Sequence, residues 1–428
     1  MMLMQARLAL LGFKPVSVIG GATAAVGDPS GKREDRPLLE PDVLHANITA
    51  LHADVQQAWL AIQAYVERAD GAVDVLADAT AGSFEAGMQG PGALDSPSAT
   101  LDPEWAWPHT CARLPDLRLL NNADWLGELK LTDFMRTVGR HMRMSAMLAK
   151  DSVASRLASP AGLSFTEFTY QALQAADFAH LHEHHGVTLQ LGGSDQWGNI
   201  TAGMDLISRT VPGAALAGGM TVPLLTTADG EKFGKSEGNA IYLSSAAGLS
   251  HFAFYQALYR ASDADCIALL PQLTLLPQAK LAQVHAAAAQ EPDAGHYQRA
   301  LATAVTDLVR GPDAVQQAEA ASAVAFCKPG TLPDAQALHL AAQGDQVPTL
   351  SVDAAALLAM PIVDALLSAG IVSSKAEARR ALKAGSVSVH GERVQDPSFT
   401  LGQSDFFTAH GVALLRLGKR HRVILHCT

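Results

Sequence analysis

Two short β-rich runs that each end in a pair of glycines constrain the fold of this chain most strongly. Residues 16–21 read VSVIGG and residues 187–193 read VTLQLGG. Strands followed by glycine loops are typical of open α/β sheets, in which ligands bind at the carboxyl ends of the strands. Residues 117–120 form a third strand-like run, and helical segments separate the three runs. The sequence therefore predicts an α/β fold with a parallel sheet covered by helices on both faces.

Composition divides the 428 residues into several parts. Residues 1–245 carry the α/β pattern, interrupted over 69–116 by a Gly-, Ala-, Ser-, Pro- and Asp-rich segment that predicts a mobile surface insertion. Residues 246–342 are alanine-rich and predict a helical bundle, whereas 343–360 predict a linker. Residues 361–428 predict a small α/β module. No run of about 18 apolar residues occurs, so we expect no membrane span.

Charge and cysteine usage exclude several classes of protein. The net charge of −11 excludes a chain that is basic throughout, although a local basic patch can still bind RNA. The four cysteines lie far apart without a CxxC pair, which argues against a zinc site and favours a reducing compartment. Residues 27–32 (GDPSGK) fail as a phosphate loop, because Val26 replaces its first glycine and Arg33 its Ser or Thr.

Four histidines lie close together at His180, His182, His184 and His185. On a helix only positions three or four apart share a face, and no Cys or further His motif completes a metal site. A metal site and a solvated helix end are the two alternatives, and the spacing favours the solvated end.

Two groups of polar residues predict a binding site. Residues 232–236 read KFGKS, and ammonium groups on such a loop stabilise the charge that develops on a leaving pyrophosphate. A solvated basic turn is the alternative for this loop. Tyr170, Gln174 and Asp177 are spaced i, i+4 and i+7, so they share one helix face. A helix face that carries a phenol, an amide and a carboxylate is poorly suited to packing in an apolar core. The face is therefore predicted to form the polar wall of a pocket.

Six motifs follow one another along the chain: GGAT (20–23), GDPSGK (27–32), NNADWLGEL (121–129), SFTEF (164–168), LQLGGSDQWGN (189–199) and KFGKS (232–236). In this order they resemble the tyrosyl-tRNA synthetases of the bacterial and organellar type. The part after residue 361 resembles that family's S4 RNA-binding domain. The resemblance implies a Rossmann-like class I catalytic domain over 1–245, an α-helical anticodon-binding domain over 246–342 and an S4-like domain over 361–428.

The resemblance also implies an activity, tyrosine–tRNA ligation, in which ATP enters as its Mg²⁺ complex and no cofactor is tightly bound. The implied tyrosine-binding residues are Thr23, Asp28, Tyr170, Gln174, Asp177 and Gln196, and Asp177 accepts a hydrogen bond from the substrate phenol. The implied ATP-binding residues are Asp195, Lys232 and Lys235, and the implied catalytic residues are Lys232, Lys235 and Ser236.

The C-terminal part is basic on an acidic chain, with nine Lys and Arg against five Asp and Glu over 361–428. Lys375, Arg379, Arg380, Lys383 and Arg393 are the candidate phosphate contacts to tRNA-Tyr. An ordinary solvated helix is the alternative. The resemblance further implies a homodimer in the cytoplasm, or in a mitochondrion or plastid if a targeting peptide lies in a missing N-terminal segment.

One departure from the family pattern lies at the N-terminus. The family has a first strand and then a His-x-Gly-His segment, whereas this sequence begins at Met1 inside the expected helix and contains no HxGH. The absent histidines would stabilise the α-phosphate. Two hypotheses follow: a synthetase whose recorded start is too late, or a short, catalytically inactive RNA-binding or interaction protein. On this ground we expect little activity from the chain as written.

Overall fold

The computed structural model describes residues 1–28, 40–69, 113–157, 162–211, 217–226, 241, 243, 249–328, 331–344, 346–403, 410–418 and 421–428. The chain forms two compact units, one of Met1–Asn239 with Leu275–Leu281 and the other of Ala240–Thr274 with Ala282–Thr428. Most of the predicted insertion 69–116 lies outside the described residues. The predicted phosphate-binding residues Lys232, Lys235 and Ser236 also lie outside them.

The predicted parallel pairing of strands is confirmed, although the four described strands of the first unit form two separate two-stranded sheets. Strand β1 (Val16–Ile19) pairs in parallel with β2 (Arg118–Asn121), and β3 (Leu189–Gly193) pairs in parallel with β4 (Gly218–Val222). Strand β3 starts two residues later than the sequence pattern predicted. The helices up to residue 210 are α1 (Met2–Leu10), α2 (Pro41–Arg68), α3 (Ala123–Leu126), α4 (Leu131–Thr137), α5 (Met144–Leu148), α6 (Asp151–Leu157), α7 (Phe165–His185) and α8 (Trp197–Thr210).

Helices α7 and α8 form the tightest described helix pair of the first unit. Helix α7 begins with a capping box, in which the Ser164 side chain accepts from the Glu167 amide and the Glu167 carboxylate accepts from the Ser164 amide. It ends at Gly186, whose φ of 65° is left-handed. Phe178 is fully buried against α8, where a Cβ at Gly203 would lie 2.8 Å from the Phe178 ring. The glycine thus permits the close approach of the two helices.

A buried ion pair ties α6 to the start of α7. The Arg156 Nη2 atom lies 2.8 Å from Glu167 Oε2, and both side chains are more than nine-tenths buried. Because Glu167 also closes the capping box, one carboxylate serves both the helix start and the ion pair. Removing one partner of such a pair leaves a buried charge without compensation, which is strongly destabilising.

The C-terminal sheet of the second unit has the order β5-β9-β8-β6-β7. Its strands are β5 (Thr349–Val352), β6 (Val387–Val389), β7 (Glu392–Arg393), β8 (Val412–Leu417) and β9 (His421–Cys427). The helices from residue 251 onward are α9 (His251–Tyr259), α10 (Asp263–Leu273), α11 (Gln278–Gln290), α12 (His296–Arg310), α13 (Pro312–Phe326), α14 (Ala335–Gln343), α15 (Ala354–Leu358), α16 (Ile362–Ser368) and α17 (Lys375–Lys383).

Strand β8 is buried on both faces, which explains its continuous apolar sequence. Val412 and Leu414 belong to a core with residues of α13 and α14, whereas Ala413 and Leu415 belong to a core with residues of α16 and α17. The sheet therefore lies between two helical layers. The predicted helical bundle and the predicted C-terminal module share a core and are not separate bodies.

The predicted linker 343–360 differs from the structure. Strand β5 lies within it and pairs in parallel with β9, and helix α15 follows with its N-terminus capped by the Asp353 carboxylate. The four-residue strand is too short to give a clear alternating pattern, and tertiary pairing decides its conformation. None of the described helices has the length and apolar character that a membrane crossing requires.

Candidate functional site

The loops after strands β1, β2 and β3, each of which belongs to a parallel pair, converge on α7. Thr23 lies in a single 3₁₀ turn after β1, Asn122 follows β2 directly, and Gln196 ends the 3₁₀ turn after β3. These positions are the carboxyl ends of parallel strands, where open α/β sheets bind ligands. The polar face predicted on α7 faces these loops through the hydrogen bonds described next.

Asp177 is the buried carboxylate of this site, with an exposed fraction of 7%. Its Oδ2 accepts from Asn122 Nδ2 at 2.7 Å, and its Oδ1 accepts from the Trp125 indole N–H at 2.8 Å. Burial raises the pKa of Asp177 from 3.8 to about 6, although the two hydrogen bonds act in the opposite direction. Since an ionised carboxylate has about four lone-pair directions, Asp177 can accept a further hydroxyl donor.

Asn122 connects Asp177 to the loop after β1. Its side chain is 1% exposed, and its Oδ1 accepts from the Ala22 amide at 2.9 Å. Its Nδ2 donates to Thr23 Oγ1 at 3.0 Å as well as to Asp177. Both N–H donors of this buried amide are directed to the site, so Thr23 and Asp177 are held in a defined relation.

A second network brings together three residues that the sequence predicted for the amino-acid end of the substrate. Asn199 Nδ2 donates to Gln174 Oε1 at 3.0 Å and to Gln196 Oε1 at 3.3 Å. Gln196 Nε2 donates in turn to Asp28 Oδ2 at 2.7 Å. The network orients a carboxylate and two amides toward one region, and such oxygens are suited to an ammonium group.

The remaining predicted residues divide into two groups. Tyr170 is half-buried on α7, one turn before Gln174, and Asp195 is half-buried in the turn after β3. The lysine loop at 232–236 lies outside the described residues, so its relation to these side chains stays a prediction.

Asn122, Trp125 and Asn199 were not predicted as site residues from the sequence. They belong to the motifs NNADWLGEL (121–129) and GGSDQWGN (192–199), each of which begins in the last residues of a strand and continues into the loop or helix after it. Polar side chains just after a strand were the signal in the sequence that could have found these residues.

The histidines on α7 have a ring partner, because the His180 ring stacks on the Trp125 indole with centroids 4.5 Å apart. No three His, Cys, Asp or Glu side chains in the described part of the chain are placed to hold a metal ion.

The predicted RNA-contacting residues lie on and beside α17. Arg379, Arg380, Lys383 and Arg393 are exposed. Lys375 Nζ is 2.6 Å from Asp364 Oδ1, so its charge is partly neutralised within the domain. Helix α17 begins at a Ser374 cap and presents its basic side chains opposite the buried Ala378 and Leu382.

Comparison with known proteins defines the class to which this fold and site belong. The family model "tRNA synthetases class I (W and Y)" matches residues 1–326. A second model, the "Tyrosine--tRNA ligase SYY-like C-terminal domain", matches residues 339–425. The chain therefore contains the catalytic domain of a class I aminoacyl-tRNA synthetase and a C-terminal domain of the tyrosine–tRNA ligase type.

Curated relatives specify the family. A tyrosine–tRNA ligase of Roseiflexus castenholzii is 37% identical over 418 residues, which are 97% of this chain and 86% of the relative. The chloroplastic/mitochondrial tyrosine–tRNA ligase of Arabidopsis thaliana is 35% identical over 97% of this chain and 71% of the relative. A C-terminally truncated mitochondrial tyrosyl-tRNA synthetase of Aspergillus nidulans is 26% identical, covering 72% of this chain and 76% of that one, with a TM-score of 0.55. The chain belongs to the tyrosine–tRNA ligase family.

The family resemblance inferred from the motifs is thus confirmed, and the protein is an enzyme of protein biosynthesis that uses ATP. The alternative of an inactive RNA-binding protein receives no support from relatives that match nearly the whole chain.

Proposed function

We propose that the Asp177 carboxylate selects L-tyrosine by accepting a hydrogen bond from the substrate phenol. The observation that carries this proposal is a buried carboxylate held by two donors, Asn122 and Trp125, with acceptor capacity remaining. Phenylalanine in the same pocket would leave that capacity unused. A buried acceptor without a partner supports rejection of the wrong substrate by about 10⁴- to 10⁵-fold.

The ammonium group of tyrosine is bound by Asp28, Tyr170 and Gln174 in this proposal, with Thr23 beside them and Gln196 orienting the amino-acid end. The hydrogen bonds from Gln196 to Asp28 and from Asn199 to Gln174 support it, because they pre-orient the acceptor atoms. Preorganised groups act without a reorganisation cost when the substrate arrives.

The first chemical step forms a bond between the tyrosine carboxylate and the α-phosphate of ATP, and the bond to pyrophosphate breaks. ATP enters as its Mg²⁺ complex, Asp195 binds the adenylate ribose, and Lys232, Lys235 and Ser236 bind the departing phosphates. In the second step a hydroxyl of the terminal tRNA ribose attacks the tyrosyl carbonyl, and AMP leaves. No enzyme nucleophile takes part, so positioning and charge stabilisation carry the rate.

The C-terminal module binds tRNA-Tyr as an S4-like domain through Arg379, Arg380, Lys383 and Arg393, with a smaller contribution from the paired Lys375. Their exposure on one small module supports this assignment. The domains proposed from the sequence are catalytic (1–245), anticodon-binding (246–342) and S4-like (361–428), and the last two share a core.

We further propose a homodimer. Three helices of the first unit expose large apolar side chains, namely Leu131 at 75%, Met144 at 58% and Phe165 at 78%. Contiguous apolar patches mark protein–protein contacts, and these side chains are the candidates for such a contact. The proposed compartment is the cytoplasm, with a mitochondrion or plastid as the alternative supported by the organellar relative.

The substitution Asp177→Ala tests the proposal for tyrosine selection. We expect the ratio of kcat/KM for tyrosine to that for phenylalanine to fall by at least about 100-fold, because the group that distinguishes the two substrates is gone. ATP–pyrophosphate exchange with each amino acid measures this ratio. Asp133→Asn, a change at an exposed carboxylate of α4, is the control and leaves the ratio unchanged. Unaltered discrimination in Asp177→Ala would refute the assignment.

A further inference from the structure

The indole of Trp125 lies between Asp177 and His180. One edge donates its N–H to Asp177 Oδ1 at 2.8 Å. One face is covered by the His180 imidazole, with ring centroids 4.5 Å apart and planes only 8° from parallel. Asp177 and His180 are three positions apart on α7, so one helix supplies both the acceptor and the stacking ring.

The backbone that carries Trp125 provides little support of its own. Helix α3 has only four residues, and a single helical turn is marginal without tertiary contacts. The Asn121 side chain accepts from the Ala123 amide at 3.0 Å and holds the start of this turn. This backbone bond does not fix the side-chain rotamer of Trp125. The near-parallel stack with the His180 ring restricts the rotation of the indole.

The surroundings of the ring that stacks on Trp125 favour its neutral form. Burial lowers the pKa of His180, and the neighbouring His184 and His185 lower it further, whereas Glu183 acts in the opposite direction. The His184 ring lies 4.4 Å and the His185 ring 5.6 Å from that of His180. Burial, Arg118 of β2 and His184 also lower the pKa of His185. These lowered pKa values favour the neutral form of the His180 and His185 rings.

We infer that His180 is a positioning residue for tyrosine recognition, because its stacked ring holds the Trp125 N–H on the Asp177 carboxylate. The inference rests on the proposed role of Asp177 and adds a residue that does not touch the substrate. When the stack is removed, the indole rotates away, and Asp177 loses one of the two donors that orient it.

Two substitutions of His180 separate stacking from other roles. His180→Ala removes the ring, and we expect the KM for tyrosine in ATP–pyrophosphate exchange to rise by about fivefold to twentyfold, at or below the lower end of the effect of losing a hydrogen bond to a charged group, because the indole itself remains. The KM for ATP stays unchanged. His180→Phe keeps a planar ring, and its KM for tyrosine stays within about twofold of the unsubstituted enzyme. A KM for tyrosine in His180→Phe that is as high as in His180→Ala would overturn the stacking role.

A double-mutant cycle tests whether the effect passes through the indole. Trp125→Phe removes the N–H donor, so adding His180→Ala to it causes no further rise in the KM for tyrosine. An equal rise in both backgrounds would overturn the inference. His182→Ala is the matched control on the same helix: its Nδ1 lies 2.8 Å from the Val187 carbonyl oxygen, so the change affects the helix end and spares the KM.

The outcomes for Asp177 and His180 are distinguishable. If Asp177→Ala leaves tyrosine selection unchanged, the proposed function of Asp177 fails. If Asp177→Ala abolishes selection while His180→Ala changes neither KM nor selection, only the positioning role of His180 fails.

Discussion

Two opposing influences act on the single carboxyl group of Asp177. Burial disfavours its charged form, whereas hydrogen bonds from Asn122 and Trp125 favour it, and burial is the larger of the two. The resulting pKa of about 6 lies just below the physiological range. The carboxylate is thus ionised at neutral pH but retains an incomplete set of hydrogen bonds, which suits a group that accepts a substrate hydroxyl.

This pKa predicts a pH dependence for tyrosine binding. Below pH 6 the carboxyl becomes protonated and loses acceptor strength, so the KM for tyrosine rises as the pH falls through about 6. The KM for ATP is the internal reference. Asp177→Asn cannot ionise and shows a higher KM for tyrosine that is flat across pH 5 to 7. A wild-type profile as flat as that of the asparagine variant would contradict the assignment of the pKa.

The free energy of unfolding of the ligand-free protein increases as the pH falls through about 6, whereas tyrosine binding weakens. The folded state binds a proton at Asp177 more tightly than the unfolded chain, whose pKa is near 3.8. The contribution of this group to the free energy of unfolding is therefore full below about pH 4 and is lost as the pH rises through about 6. The loss is at most about 3 kcal/mol.

At the scale of elements, α7 is both a site wall and a core helix. Its polar face carries Gln174 and Asp177, while Ala172, Ala175 and Phe178 are buried in packing contacts. Its closest approach to α8 depends on Gly203. Since α8 carries Asn199 at its start, the spacing of the two helices also sets the spacing of the hydrogen bonds in the site.

Gly203→Ala tests this close approach. The added methyl group would lie 2.8 Å from Phe178 Cδ1 and 3.0 Å from its Cβ, and neither atom can move without shifting the ring. Overpacking costs about 1–3 kcal/mol, and the better helix propensity of alanine offsets up to about 1 kcal/mol. We expect a net loss of about 1–2 kcal/mol in urea unfolding. In the double variant Gly203→Ala with Phe178→Leu, part of this loss is recovered. A Gly203→Ala variant more stable than the unsubstituted protein would show that the two helices can separate freely.

At the scale of the whole molecule, the second unit combines a shared core with a basic surface. The sheet is buried between α13–α14 and α16–α17, so the basic side chains of α17 are presented on a firmly packed support. The total charge of −11 makes this basic region a local exception. In the proposed function, electrostatic attraction of RNA is therefore directed to this basic region.

The double substitution Arg379→Glu and Arg380→Glu tests this surface. We expect weaker binding of tRNA-Tyr and a salt dependence whose slope falls by about 1 for each phosphate that the variant no longer neutralises. The rate of ATP–pyrophosphate exchange stays unchanged, because adenylate formation needs no RNA. Arg113→Glu, at an arginine of the first unit with a 77% exposed side chain, is the control. Loss of both activities would indicate misfolding and would contradict a purely electrostatic role.

The sequence predicted those elements whose signal lies within a few neighbouring residues, and it missed those that depend on distant partners. The strand at 16–19, the helix carrying Tyr170, Gln174 and Asp177, and the basic helix near Arg379 follow from short-range periodicity and are present in the structure. Strand β5 was predicted as part of a linker, because its conformation depends on pairing with β9, whose partner residues lie 75 positions later in the sequence.

The sequence by itself determined the family, the parallel α/β pattern and the residue types of the site, because motifs and periodicity are local properties of a chain. Only the tertiary structure decided which polar groups meet. Asn122 and Asp177 are 55 residues apart, and Gln196 and Asp28 are 168 apart. The partner of His180 was decided in the same way: a histidine whose spacing favoured a solvated helix end stacks on Trp125, because packing of α7 against the loop after β2 brings the two rings together.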